Sequence, residues 1–180
     1  PLAPAGGMAP GPVPVAWEVA ADAGFRDIVR SGEGLALPQA AHSLHVEVSG
    51  LAAQRPYWYR FHAGGAASET GCARTLPAPC AALDQLHIAS VGCHDYESGF
   101  FTAFAHLARE PMLDAVFHYG DYIYEFGRRS KNPLRVHAGD ETVTLDDYRR
   151  RYAQYKQDPD LRAAHARAAF ICSFDDHEVD

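Results

Sequence analysis

No run of apolar residues in these 180 is long enough to cross a bilayer as a helix, which excludes a helical membrane span within them. Basic residues are in deficit: 16 Lys and Arg stand against 23 Asp and Glu, a net charge of -7. That removes the cationic footprint a nucleic-acid binder needs. It would also be an odd balance for an enzyme of anionic substrates, unless bound cations invert the sign of the field at the site. Internal repeats and long low-complexity runs are absent, so a repeat array is excluded. No initiator Met is present, and residues 1–14 lack the basic start and apolar centre of a signal peptide. The chain also stops immediately after its densest group of potential ligands, at Asp180. It is therefore expected to be the N-terminal part of a longer polypeptide. Cysteine is sparse. Four Cys allow three pairings. Cys72 and Cys80, in a loop-like segment, could bridge in an oxidising compartment. Cys172 lies within an apolar strand and reads as a plain buried thiol. Cys93 differs, because it follows a Gly at a strand end and precedes the polar turn His94-Asp95-Tyr96-Glu97-Ser98.

What is present is the composition of a folded domain, 47% hydrophobic and 22% charged. The first half reads as short strands. Residues 13–20 alternate after their prolines, residues 43–48 place Leu44, Val46 and Val48 on one face, and residues 56–61 are aromatic, with Gly64-Gly65 as the next turn. Strands at this spacing suggest a small antiparallel β-sandwich of the immunoglobulin or fibronectin kind. Leu76-Pro77-Ala78-Pro79 is a stiff linker and a plausible domain boundary, dividing the chain into 1–78 and 79–180. Beyond it strands and helices alternate. Apolar positions 100, 101, 104, 107 and 108 share one helical face. Thr144-Leu145-Asp146-Asp147 opens a helix with acids in its first turn. Tyr148, Tyr152 and Tyr155 form a stripe on that helix that reads as core. Asp158-Pro159 breaks it, and a second, Ala-rich helix is expected over 161–169.

Three apolar runs end in donor atoms. Residues 86–93 end at Cys93, residues 113–121 end at Gly120-Asp121 with Tyr122 and Tyr124 just beyond, and residues 170–178 end in Asp175-Asp176-His177-Glu178. Buried strands that stop this way present their last residues at the carboxyl edge of a sheet, where open α/β sheets gather ligands. Carboxylate and phenol oxygens are hard donors. Asp121 could bridge two ions, and Tyr124 could join it only if the chain turns after Tyr122. Two ions side by side would clamp a phosphoryl group and activate a water. Each signal has a plainer reading: Gly-Asp ends many strands, Asp-Asp-His-Glu could be a solvated acidic loop, and Tyr122 could simply pack in the core.

These motifs resemble the PhoD-like family of secreted alkaline phosphatases and phosphodiesterases. The resemblance is carried by Ala89-Ser90-Val91-Gly92-Cys93, Gly99-Phe100-Phe101-Thr102-Ala103-Phe104, His118-Tyr119-Gly120-Asp121-Tyr122-Ile123-Tyr124-Glu125, the segment 144–153 and Asp175-Asp176-His177-Glu178-Val179. Upstream, Tyr57-Trp58-Tyr59-Arg60-Phe61 and Arg74-Thr75-Leu76-Pro77 resemble the β-sandwich that precedes the family's catalytic domain. The resemblance implies that residues 79–180 are the first part of an α/β metallophosphoesterase domain, an αββα sandwich holding iron as Fe(III) and calcium as Ca(II). It implies hydrolysis of phosphate mono- and diesters, small or polymeric, by a metal-held oxide or hydroxide, in a secreted or periplasmic protein. It places Cys93, Asp121 and Tyr124 around iron, Asp175 or Asp176 as a further ligand, and His177 as the residue that contacts the phosphate or protonates the leaving group. The family's further ligands have no counterpart in these 180 residues. The competing expectation is a non-catalytic β-sandwich binding module with a vestigial half-site.

Overall fold

The computed structural model describes residues 8, 10–129 and 131–179. Among them, β1 (Val13–Ala20) and β2 (Ile28–Ala36) form an antiparallel pair, and β3 (Pro56–Ala63) adds to the other edge of β1. The short strands β4 (Ala66–Ala67) and β5 (Gly71–Arg74) pair with successive parts of β3, completing a five-stranded antiparallel sheet. Gly64 and Gly65, at φ 56° and 82°, close the β3–β4 hairpin, a turn that needs left-handed backbone at both central residues.

The expected strand over residues 43–48 is instead extended coil, tied to the sheet region by one bridge between Leu37 and Ser43. Its alternation is nevertheless used. Val46 and Val48, with Leu51, face Trp17, Val19, Tyr57, Tyr59 and Phe61 of the sheet across a cleft of about 280 Å3. Arg30 holds the end of this segment through the Ser49 and Gly50 carbonyls, a side chain doing what a ladder would do elsewhere. Strand β2, not anticipated, is obscured by Gly32 and Gly34. A Cβ at these positions would lie 2.7 Å from the Trp17 ring and 2.9 Å from Leu44, so the glycines are gaps that larger neighbours fill.

In the second half, β6 (Ile88–Val91), β7 (Ala115–His118) and β8 (Ala169–Cys172) form a parallel sheet in that order, with β7 central. Helix α1 (Thr102–Leu107) crosses between β6 and β7, and α2 (Leu145–Tyr155) and α3 (Pro159–Arg167) lie between β7 and β8. Helix α2 begins in a capping box between Thr144 and Asp147. Asp158 caps α3 and Pro159 takes its first position, so the dipeptide that stops one helix starts the next two residues earlier than expected. Phe101, Phe104, Tyr122, Ile123, Tyr155, Leu161 and Ala164 form the core between helices and sheet, with Tyr148 and Tyr152 packed against it.

The opposite face of the parallel sheet is open: Ile88, Phe117 and Ile171 are 53%, 41% and 59% exposed. Cys172, expected to be buried, is exposed, because β8 is the edge strand of this sheet. Cys72 and Cys80 are both unpaired, so the considered disulfide is not formed. Arg162 pairs with Glu69 at 2.6 Å across the junction of the halves, and Arg74 lies 3.7 Å from Asp114. No helix among the described residues is long and apolar enough to cross a membrane.

Candidate metal centre

Parallel strands in register deliver their carboxyl ends to one place, and here three donor-bearing segments meet there. Tyr119 N–H donates to Val91 C=O at 2.9 Å, Cys93 N–H to Gly120 C=O at 3.2 Å, and Ser173 N–H to His118 C=O at 2.9 Å. These bonds stitch the β6 and β8 exits to the central β7 exit. Gly120 makes the junction possible. Its φ of 137° is closed to other residues, and a Cβ there would sit 2.4 Å from that of Asp175. Cys93 and Asp121 are both left-handed, at φ 54° and 53°. Such backbone in non-glycine residues costs about 1–2 kcal/mol each and clusters at functional sites.

Asp121, Asp176 and His177 bring one ligating atom each within 4.8 Å of one another. Tyr124, after a bend at Tyr122 and Ile123, donates its hydroxyl to Asp121 Oδ2 at 3.1 Å. Asp121 Oδ1 is buried and has no hydrogen-bond partner. The neighbouring Asp121 carboxylate, then burial and the charge of Asp175, push the Cys93 thiol up. Burial and Asp121 together push the Tyr124 phenol up as well. Asp175 stands slightly apart: it caps the following turn by accepting from Asp176 N–H at 3.0 Å and packs against Gly120.

This donor set fits a cation. A buried carboxylate oxygen without a donor lacks positive charge beside it, and the raised thiol and phenol are those whose anions a hard, highly charged ion would stabilise. Asp121, Asp176 and His177 could hold it, with the Tyr124 hydroxyl on Asp121, while Cys93 lies outside this group.

Residues that the sequence reading left without a role surround this group. Glu125, buried, accepts from His177 Nδ1 at 2.7 Å. With Nδ1 committed, Nε2 is the ring nitrogen available to a ligand. Burial pulls the His177 imidazole down, but the bond and charge of Glu125, with Asp121 and Asp176 behind it, outweigh this and leave it raised. The ring lies 4.2 Å from the Tyr124 ring centroid and 5.4 Å from that of Phe126. Arg151, also buried, donates to the Tyr124 and Phe126 carbonyls and to Asp140 C=O, shaping the loop that carries Tyr124. His94 Nδ1 meets His118 Nε2 at 3.0 Å beneath the site. Tyr122 is core, as anticipated, and its hydroxyl meets His165 Nε2 at 2.7 Å. Glu125 and Glu178 stand inside recognisable motifs. Glu125 bonds a residue 52 positions away, and three of the four Glu178 bonds span 55 to 57 positions, so local spacing does not disclose these contacts.

Residues 88–180 match the PhoD-like phosphatase family, and residues 2–77 match the PhoD-like phosphatase N-terminal domain. The chain therefore belongs to the PhoD-like phosphatase family. It is 48% identical over 179 residues to alkaline phosphatase D of Bacillus subtilis (strain 168), covering 97% of this chain and 30% of that protein. A solved structure of PhoD superposes on 98% of the chain with a TM-score of 0.93 and 48% identity, and 34% of that structure's chain is covered. The chain thus spans about a third of the length of these relatives, and its mixed sheet-and-helix architecture is that of the N-terminal portion of PhoD.

Proposed function

We propose that this chain is the N-terminal part of an exported, metal-dependent phosphoesterase acting on phosphate mono- and diesters, and that Cys93, Asp121, Tyr124 and Asp176 are half of its metal site. The observation that carries this reading is the meeting of Asp121, Asp176 and His177 around a buried carboxylate oxygen with no donor of its own. Similarity to alkaline phosphatase D supports the phosphoester class. In this reading β6, β7 and β8 are the first strands of an αββα metallophosphoesterase sandwich, whose second sheet covers Ile88, Phe117 and Ile171. The N-terminal sheet is one layer of a β-sandwich, with residues 43–51 on its other side.

Iron and calcium, when bound, would supply Lewis acidity toward the phosphoryl oxygens and the attacking water. The chain's own residues divide the remaining work. Asp121 contributes a carboxylate able to serve two cations, and Tyr124 and Cys93 contribute donors that become anionic only beside positive charge. Glu125 fixes the His177 ring through Nδ1 and favours its protonated form, so that Nε2 can hand a proton to the departing alkoxide. The loop hydrogen-bonded by Arg151 keeps Tyr124 over Asp121 without further ordering.

The test uses the complete protein loaded with iron. A phenolate or thiolate on Fe(III) absorbs in the visible range, and Tyr124→Phe should shift or bleach that band while conserving the ring. Asp121→Asn should lower hydrolysis of a chromogenic phosphate mono- or diester by at least about 100-fold, in the range expected when electrostatic stabilisation of the transition state is removed. A colourless iron-loaded protein, or normal turnover in Asp121→Asn, would refute the proposal.

A further inference from the structure

The carboxylate of Glu178 is the most heavily bonded acceptor near the site, and nothing in the proposed chemistry uses it. One oxygen, Oε2, accepts from Asp121 N–H at 3.2 Å and from Asp175 N–H at 2.7 Å. The other, Oε1, accepts from Ile123 N–H at 3.2 Å and also from Tyr122 N–H. The residue is 7% exposed. We infer that Glu178 is a positioning residue of the metal site: its buried carboxylate clamps the β7 exit loop, which carries Asp121, to the β8 exit turn, which carries Asp175, Asp176 and His177. This inference rests on the proposed function.

Three observations lead to it. First, the bond to Asp175 N–H is the local half of a capping box, which any Glu three residues past a cap can make. The other three bonds reach back 55 to 57 residues, and a local cap has no use for them. Second, the N–H groups of Asp121, Tyr122 and Ile123 converge because Gly120 and Asp121 turn the backbone left-handed. Convergent amides form a cavity for negative charge, and without an anion they would be buried and unpaired. Third, a carboxylate offers about four lone-pair sites, and four donors are supplied. The bonds are therefore saturated, and no neutral side chain of this size can replace them. A glutamine would turn an NH2 group toward at least one of these amides, setting donor against donor. Glu178 touches neither substrate nor metal in this scheme. It acts by setting where Asp121 stands relative to Asp176 and His177.

The experiment compares Glu178→Gln with the parent, using the complete protein. Amide hydrogen exchange of the metal-free form reads the clamp itself. Iron retention against a competing chelator reads the site. Thr144→Ala serves as a control for remote loss of stability. In Glu178→Gln the amides of Asp121, Tyr122, Ile123 and Asp175 should exchange at least about tenfold faster while those of α2 stay unchanged. Iron affinity should fall about 10–100-fold, as for other residues that orient ligands, and Thr144→Ala should not lower it. Unchanged exchange at the four amides overturns the clamp. Faster exchange with parental iron affinity overturns its role at the site. A parent that binds no iron, with the amides still loosened in the variant, sinks the metal reading and this role with it, and is recognised by the parent alone. Should Glu178→Gln fail to fold, Glu178→Asp keeps the charge, shortens its reach by one methylene and is judged by the same two measurements.

Discussion

At Gly120 the absence of one carbon decides whether the site can exist. The positive φ is open to glycine, and the space a Cβ would take is held by Asp175. Gly120→Ala should destabilise the protein by about 2–4 kcal/mol, from unfavourable backbone plus overpacking. Gly99→Ala should stay within about 0.5 kcal/mol, since a Cβ there meets nothing within 4 Å. Urea unfolding of the two variants checks the contrast. Cys93, Asp121, Tyr124 and His177 could be singled out in the sequence because each ends an apolar run or follows it closely, and the structure brings Asp121 and His177 together with Asp176. What could not be read was their relative standing. That Asp176 joins Asp121 and His177 while Asp175 caps a turn is set by loop geometry, which two adjacent identical residues do not disclose. The bonds of Glu125 and Arg151, and the three long-range bonds of Glu178, were beyond local reasoning for a related reason: they are tertiary.

Elements were read best where periodicity and end signals agreed. Helix α2 had both, and its capping box forms as the sequence suggests: Thr144 Oγ1 accepts from Asp147 N–H at 3.3 Å and Asp147 Oδ2 accepts from Thr144 N–H at 3.0 Å. Thr144→Ala should cost about 1 kcal/mol and Thr144→Ser much less, as measured by the shift in thermal or urea midpoint. Helix α3 shows how an end signal misleads when given one meaning. Asp-Pro ends a helix, but Asp also caps and Pro also starts one, and here Asp158 does both jobs while pairing with Arg135 at 2.6 Å. Residues 43–48 show the converse: period-two alternation reports a half-buried extended segment, and pairing with a neighbouring strand is a separate condition that alternation does not test.

For the whole molecule, pH is the informative variable, because the core of the second half contains imidazoles. Burial, then the positive charges of Lys156 and His118, pull His165 from an ordinary 6.5 to about 4. It stacks on Phe170 with ring centroids 3.8 Å apart and meets the Tyr122 hydroxyl. The folded state therefore prefers this ring neutral. Its contribution is complete above pH 6.5, where both states are neutral, and is lost as pH falls toward about 4, because the unfolded chain takes up the proton first. The urea midpoint should decline across that interval, and His165→Gln should decline less steeply. His94, held to about 3 by burial and its neighbour His118, keeps the variant from becoming flat.

The order of the strands also governs when each half can form during synthesis. All five strands of the antiparallel sheet lie between residues 13 and 74, and most pair with near neighbours in sequence. A nascent chain that has released residue 74 can close that sheet while the rest is still being made. The parallel sheet keeps no such schedule. Its central strand ends at residue 118, its edge strand at 172, and the clamp that joins their exits waits for Glu178. Until that carboxylate is made, the N–H groups of Asp121, Tyr122 and Ile123 lack the acceptor they share in the folded protein. The exits of the parallel sheet are thus joined by a residue that follows the first sheet's last strand by about a hundred positions.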